Sequence, residues 1–446
     1  MQTEMARPLK IWLLTDVFPP HSGGSGWSTY YLGKALKERG HEVRVLRPIY
    51  GEAPGGRMGR VVEYGGLLVE EMLIPQPPAW SVRGGLGKAW SEREARRLLS
   101  RRATRPALWG DADVLHGQHS VSAAAASIAA QRARAAGARV VSVGTVRDYW
   151  HLCPVSTRLF QGRDGEPFEC KECHRLRSYL RCTHTENGPR GWVRVPLSVA
   201  RWLQAWEAGR TLSKCDAVIA VSRYVRDELA RSGRVPADKL YTIPNLVDLP
   251  SVERALGGRW PLHDISPGEP FLLFVGKWDT NKGPQMLPDA VAQSGVRMPV
   301  VLAGEGPLRA QLEREAKRRG LDFRFVSWVD NEAAILLMRH ATALLFPSAW
   351  QEPLSRVLLE GLAAGVAIVA LDTGGTSDAI VHAESGWLAK DAAEFAEGIK
   401  VVSGNTQLNA TLRVGARRRA GEVFVAPNVS AQVEALYTRL LEGLGA

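Results

Sequence analysis

Two glutamates, Glu352 and Glu360, are separated by seven residues in the segment AWQEPLSRVLLEGLAAGVAIVALDTGG. Pro353 suits a loop or a first helical turn, Ser355 stands where a capping residue belongs, and VLLEGLAAG continues as a mostly apolar helix. The pattern puts Glu352 just before that helix and Glu360 inside it. A carboxylate within so apolar a helix is costly unless it is bonded, so Glu360 requires a buried cation or the hydroxyls of a diol. A salt bridge to a neighbouring Arg or Lys would meet the same need without any ligand. Upstream, FLLFVGKWDTNKGP places Lys277 at a strand end and Lys282 in the next loop, where two ammonium groups can neutralise a diphosphate. Between these segments VVLAGEGPLR offers Gly304 and Gly306, with Glu305 between them, in a strand-to-helix turn whose backbone N–H groups favour anions.

Groups so far apart in sequence need a scaffold that brings loops together. Short apolar runs alternate with helical patterns along the chain, which predicts α/β structure with parallel sheets and crossover helices. KIWLLTD, HEVRVLRP, DVLH, ARVVSVGT, DAVIAVS and KLYTIP are strand candidates of a first domain, residues 1–250. A Pro- and Gly-rich stretch, 251–269, reads as a linker. FLLFVG, MPVVLAG, DFRFVS, TALLFPS and VAIVALD then build a second domain, 270–425, and the amphipathic pattern within 426–446 predicts a final helix. With 446 residues and 45% hydrophobic content, the chain is long enough for two cores.

The net charge of +11 calls for an anionic partner: a nucleotide, a nucleic acid or an acidic membrane. The densest basic stretch, REARRLLSRRATR, lacks interleaved aromatics, and no nucleic-acid-binding signature accompanies it, so no nucleic-acid partner is expected. It reads as a solvated helix face or as a contact with an anionic membrane. The apolar run Ile11 to Leu14 is too short for a signal-peptide core or a membrane span, and the few cysteines fit a reducing compartment. A cytoplasmic protein, peripheral at most to the inner face of the membrane, is the expectation.

The order G-K-x4-K-G, A-G-E-G-P, E-x7-E and T-G-G resembles the donor half of retaining glycosyltransferases of family 4. The resemblance implies the GT-B fold, two Rossmann-like doubly wound domains facing across a cleft, with the final helix crossing back to the first domain. It implies a UDP- or GDP-sugar donor and transfer to an acceptor hydroxyl with retention, without a required cofactor. Matched residue by residue, Lys277 and Lys282 grip the diphosphate, Glu352 contacts the transferred sugar and Glu360 holds the ribose hydroxyls. Gly304, Glu305, Gly306, Ser355 and Arg356 fall in the same donor-binding segments. The first basic residue is Lys where the family usually has Arg, and Pro353-Leu354 replaces the usual Phe-Gly.

The first domain extends the resemblance, since P-P-H-S-G-G before a helix places Gly23 and Gly24 where the backbone can approach a ligand closely. His119, after DVLHG, is the candidate contact to donor sugar or acceptor, and Asp148 lies in T-V-R-D-Y-W-H-L-C-P, where Arg147 replaces the family's usual His. Glu352, His119 and Asp148 are the catalytic candidates; His116 and His151 read as structural. Cys153, Cys170, Cys173 and Cys182, in an insertion around 151–190, form C-x16-C-x2-C-x8-C, the raw material of a structural zinc site with His174 and His184 as substitute ligands; free thiols or an iron–sulfur centre are the alternatives. Three other functions share parts of this pattern: a non-catalytic binding module, a sugar phosphorylase or nucleotide-sugar epimerase, and an NADP-dependent oxidoreductase using Gly24-Ser25-Gly26 and Arg47. The acceptor, whether glycan, lipid-linked sugar or small molecule, is not encoded in these motifs.

Overall fold

The computed structural model describes residues 7–20, 22–50, 59–78, 87–104, 112–153, 156–157, 159–161, 167–170, 195–262 and 264–444. They divide into two compact units: Met1–Arg158 with Cys170–Pro244 and Val429–Ala446, and Leu159–Glu169 with Asn245–Asn428.

The first unit is built on β1 (Lys10–Leu14), β2 (Glu42–Tyr50), β3 (Gly59–Tyr64), β4 (Leu67–Ile74), β5 (Val114–Gly117), β6 (Val141–Val146), β9 (Ala217–Ala220) and β10 (Leu240–Thr242). Their order in the sheet is β10-β9-β6-β5-β1-β2-β4-β3, parallel except for β3 against β4. β1, β5, β6 and β9 lie inside the sheet and are buried along nearly their whole length, which is why they read as mostly apolar runs. The helix Ser120–Ala135 packs so closely on β5 that a Cβ on Gly117 would sit 2.3 Å from the Ala123 backbone. Its alanines, Ala123 to Ala126 with Ala129 and Ala130, are buried and make that approach possible. The hairpin β7 (Leu159–Gln161) and β8 (Pro167–Glu169) forms its own two-stranded sheet.

The second unit holds a six-stranded parallel sheet of β11 (Leu272–Val275), β12 (Val300–Ala303), β13 (Phe323–Val326), β14 (Ala343–Phe346), β15 (Ile368–Leu371) and β16 (Trp387–Ala389), in the order β13-β12-β11-β14-β15-β16. The order reverses direction at β11 and β14. The carboxyl ends of these two strands therefore border a topological switch point, where open α/β sheets bind ligands. The core beneath it gathers Leu272, Phe274, Trp278, Leu302, Leu345 and Val369.

Part of the stretch expected as linker is an ordered element. The helix Leu249–Leu256 starts with a proline at a first-turn position, where a missing N–H costs nothing, and buries Val252 and Ala255 against the helices Asn331–His340 and Arg356–Ala364. Ile265 is buried as well, and its carbonyl accepts from Trp260 Nε1 at 2.7 Å. The final helix, Ala426–Gly443, follows a short π-helical turn, and from Val429 onward it groups with the first unit, burying Val433, Leu436, Tyr437 and Leu441.

Candidate functional site

Glu352 and Glu360 occupy the positions their spacing predicts. The loop after β14 carries Ser348 to Leu354, Ser355 takes the N-cap position, and the helix Arg356–Ala364 follows, ending on Gly365 in the left-handed region. Ser355 is buried, but its hydroxyl makes no capping bond, so the backbone N–H groups of the first turn are not met by their own cap.

Glu352 is almost wholly buried, at 2% exposure. Its Oε1 accepts from Lys282 Nζ at 2.6 Å and from Ser348 Oγ at 2.8 Å, and the same ammonium lies 4.9 Å from the centre of the Trp350 ring. Lys282 is carried there by Thr280–Lys282, a 3-10 turn capped by Asp279, whose carboxylate accepts from the backbone N–H groups of Asn281 and Lys282. Gly283 then turns the chain at φ 73°, with the Pro347 carbonyl oxygen 1.8 Å from where a Cβ would stand. The Thr373-Gly374-Gly375 loop closes on the same glutamate from its backbone side: Gly375 N–H donates to the Glu352 carbonyl at 2.5 Å and Gly374 N–H to Gln351 Oε1 at 2.7 Å.

Glu360 is held by a different set. Its Oε1 accepts from Asn331 Nδ2 at 3.0 Å and from Arg356 Nη2 and Nε at 3.0 and 3.2 Å. Arg356, one helical turn earlier, is thus the buried cation the sequence demanded, and it also donates to the Leu246 carbonyl. Its place is beside Glu360, as that carboxylate's partner. Asn331 escaped the sequence reading; it opens the helix Asn331–His340, with Asp330 as its cap, and only the fold brings it to Glu360. In both glutamates the bonds converge on Oε1, and Oε2 receives none among the described residues. Each carboxylate is anchored by one oxygen and keeps the other for a further donor.

The remaining predicted donor residues divide. Lys277 follows β11 and is exposed. Gly304 and Gly306 both stand where the chain packs closely, and the N–H of Gly304 is taken, donating to the Val326 carbonyl at 3.1 Å. A Cβ at Gly304 would meet the Gly276 oxygen at 2.0 Å, and one at Gly306 would meet the Trp278 carbonyl oxygen at 2.4 Å. Glu305 is exposed, and its Oε1 lies 3.5 Å from the backbone nitrogen of Trp328. Trp328, three residues before Asn331, is 68% exposed.

In the first unit the polar ends of β1, β5 and β6 come together. Asp16 caps the helix Ser120–Ala135, accepting from the N–H groups of Val121 and Ser122 at 3.1 and 2.9 Å. This carboxylate occupies that helix N-terminus, and burial raises its pKa. His119 is half-buried with Nε2 sealed from solvent and unbonded; burial brings its pKa down to about 4, against the opposing pull of Asp148. Asp148 is raised by burial and accepts from Trp150 N–H at 3.0 Å, and Arg147 donates to the Gln118 carbonyl at 2.9 Å. Gly24, placed by the sequence just before a helix, is the first residue of the helix Gly24–Glu38. His116 is structural, its two ring nitrogens bonded to Tyr437 Oη and Thr145 Oγ1, each at 2.6 Å.

Arg47 is engaged by Glu71 and by the carbonyls of Phe18 and Pro19, which removes it from the role an NADP phosphate would need. Cys153 is buried and Cys170 half-buried, while Cys173, Cys182, His174 and His184 lie outside the described residues. Among the described residues no three potential metal ligands gather.

Comparison with known proteins places this geometry. The model of glycosyltransferase family 4 matches residues 22–250, and that of glycosyl transferases group 1 matches residues 262–419. The chain belongs to glycosyltransferase family 4. It is 33% identical over 180 residues to O-antigen chain mannosyltransferase C of Escherichia coli, covering 39% of this chain and 48% of that protein. It is 31% identical over 236 residues to the GDP-mannose-dependent alpha-(1-6)-phosphatidylinositol dimannoside mannosyltransferase of Mycobacterium tuberculosis, covering 52% and 59%. The chain thus spans about half the length of the curated relatives it matches. Among solved structures it resembles sucrose-phosphate synthase of Thermosynechococcus elongatus (TM-score 0.65, 19% identity, 97% of this chain and 100% of that one). It also resembles Anabaena HepE in complex with UDP-glucose (TM-score 0.63, 17% identity, 97% and 100%). These likenesses are of fold, the GT-B fold of two Rossmann-like units.

Proposed function

We propose that this family 4 member moves a hexose from a UDP- or GDP-sugar to an acceptor hydroxyl with retention of anomeric configuration, in glycan or glycolipid assembly. The observation that carries the reading is the state of the two glutamates: both are buried, anchored through one oxygen and open at the other. Glu360 then accepts from the ribose hydroxyls and Glu352 from a hydroxyl of the transferred sugar. Lys277 and Lys282 neutralise the departing diphosphate, helped by the uncapped N-terminus of Arg356–Ala364. The exposed Trp328 offers a flat face for the base.

Glu352 is poorly suited to attack the sugar, because an ammonium and a hydroxyl already hold its charge. Its role is orientation, and the acceptor proton passes to the leaving phosphate oxygen on the same face of the sugar ring. Preorganised charge at the leaving group supplies the stabilisation. His119 and Asp148, on the first unit, are proposed contacts to sugar or acceptor.

Thermal unfolding with GDP-mannose, UDP-glucose, ADP-glucose and NADPH tests this, with GDP-mannose first because two of the relatives are mannosyltransferases. A true donor at 100 times its dissociation constant adds roughly 2.7 kcal/mol of stability. The expected result is stabilisation by one nucleotide-sugar class, abolished in Glu360→Ala and weakened at least tenfold in Lys277→Ala, which changes only an exposed side chain. A shift with NADPH alone would end the transferase reading. The anomer of the product, read by NMR, decides retention.

A further inference from the structure

The helix Gly87–Ala103 carries five arginines, and they are sorted by face. Arg96 pairs with Glu207 at 3.0 Å and Arg102 with Glu70. Arg93, Arg97 and Arg101 stand four residues apart and are all exposed, a continuous basic stripe along the helix. Glu94, 3.3 Å from Arg97, is the one carboxylate paired with this stripe among the described residues.

The helix Val195–Leu212 shows a complementary oddity. Leu203 and Trp206 are exposed by 49% and 43%, on the same face as Arg210, whose guanidinium lies 4.7 Å over the Trp206 ring. Both helices pack against Ser120–Ala135, and the Arg96–Glu207 pair ties them to each other, neutralising the acidic group at the junction. A basic stripe and an apolar pair thus share one region of the first unit.

From this arrangement we propose that the two helices dock the first unit on an anionic lipid surface. The reading does not depend on the identity of the sugar donor. The arginine stripe supplies attraction to acidic headgroups, while Leu203 and Trp206 enter the boundary between headgroups and acyl chains. Arg210 on the Trp206 face keeps its charge at headgroup level while its stem covers apolar surface. A nucleic acid would use the arginines and gain nothing from Leu203, so lipid fits the whole set. Among the described residues no helix is long and apolar enough to cross a membrane, so this contact lies on the surface of the bilayer.

Co-sedimentation of the full chain with vesicles of phosphatidylcholine, with or without phosphatidylglycerol, tests the proposal. The wild type is expected to bind the anionic vesicles selectively, and less so as salt rises. Arg93→Gln/Arg97→Gln/Arg101→Gln should weaken that binding roughly 100-fold, at about 1 kcal/mol for each charge near an acidic surface. Leu203→Ser/Trp206→Ser should weaken it while leaving its salt dependence. All five changes are at exposed positions, and retention of the wild-type circular dichroism and unfolding temperature checks the fold. Failure of the wild type to prefer anionic vesicles, or a triple variant that binds like wild type, overturns the proposal. So does arginine-dependent capture of an RNA homopolymer, indifferent to Leu203 and Trp206 and tighter than vesicle binding, which would make the face a nucleic-acid site.

Discussion

At the scale of single residues, this chain uses burial to set charge. His119 has its pKa lowered to about 4 by burial, well below the roughly 6.5 of an unfolded chain. The unfolded state therefore binds a proton that the folded state refuses anywhere between these values. Folding stability is full above about pH 6.5 and falls as the pH drops toward 4. His119→Gln should leave stability at neutral pH nearly unchanged and flatten this acid decline by on the order of 2 kcal/mol, a value discounted for the ring's partial exposure. Chemical denaturation of both proteins across the range gives the difference curve, and a curve as steep in the variant would show that the ring does not carry the decline. His116, also lowered by burial, remains in both and cancels. Residue types told much of this story in advance: Glu360 had to find a buried partner, and Arg356 four positions away was in view. Asn331 was not, because nothing local distinguishes an asparagine that caps no helix from one that the sheet order delivers to a carboxylate 29 residues later.

Elements position these groups through close backbone contacts. Gly374, at φ 57°, brings the Thr373-Gly374-Gly375 loop against Glu352, and a Cβ there would meet the Glu352 carbonyl oxygen at 2.5 Å. Gly374→Ala must push the loop away in a backbone conformation that side chains disfavour, so donor affinity should fall roughly 5- to 30-fold for about 1–2 kcal/mol of strain. Calorimetric titration with the donor measures it; unchanged affinity would mean that the loop is not part of the site. The eleven strands expected from apolar runs all appear, because buried parallel strands announce themselves. β3, β4, β7, β8 and β16 went unread: β3 is an exposed edge strand, β7, β8 and β16 have three residues each, and the Gly65-Gly66 turn joining β3 to β4 sits in a segment with little alternation. The helix Leu249–Leu256 was hidden by the prolines and glycines around it. Gly304 and Gly306 were legible as special positions, but the close approach of Gly276 and Trp278 to them was not, since turn glycines that admit a ligand and those that admit another segment look alike in sequence.

Across the whole molecule the chain divides its sequence unequally between its two units. Residues 429–446 belong with the first, and the joint is the buried contact of Tyr437 with His116. Tyr437→Phe keeps the ring and strands one imidazole nitrogen, so the first unit should lose about 1–2 kcal/mol in denaturant unfolding. No loss would show that the hydroxyl is incidental to the packing around it.

That division also orders events during synthesis. A ribosome releases β1 to β10 long before it reaches Tyr437, and at roughly 5–20 residues per second the interval between Pro244 and Val429 lasts on the order of ten seconds or more. Throughout it the nascent first unit lacks the strip that covers His116, while the second unit is still being made. The apolar seat of Val433, Leu436 and Leu441 is then open to chaperones or to a neighbouring nascent chain, and arrival of the helix Ala426–Gly443 becomes the step that completes the unit made first.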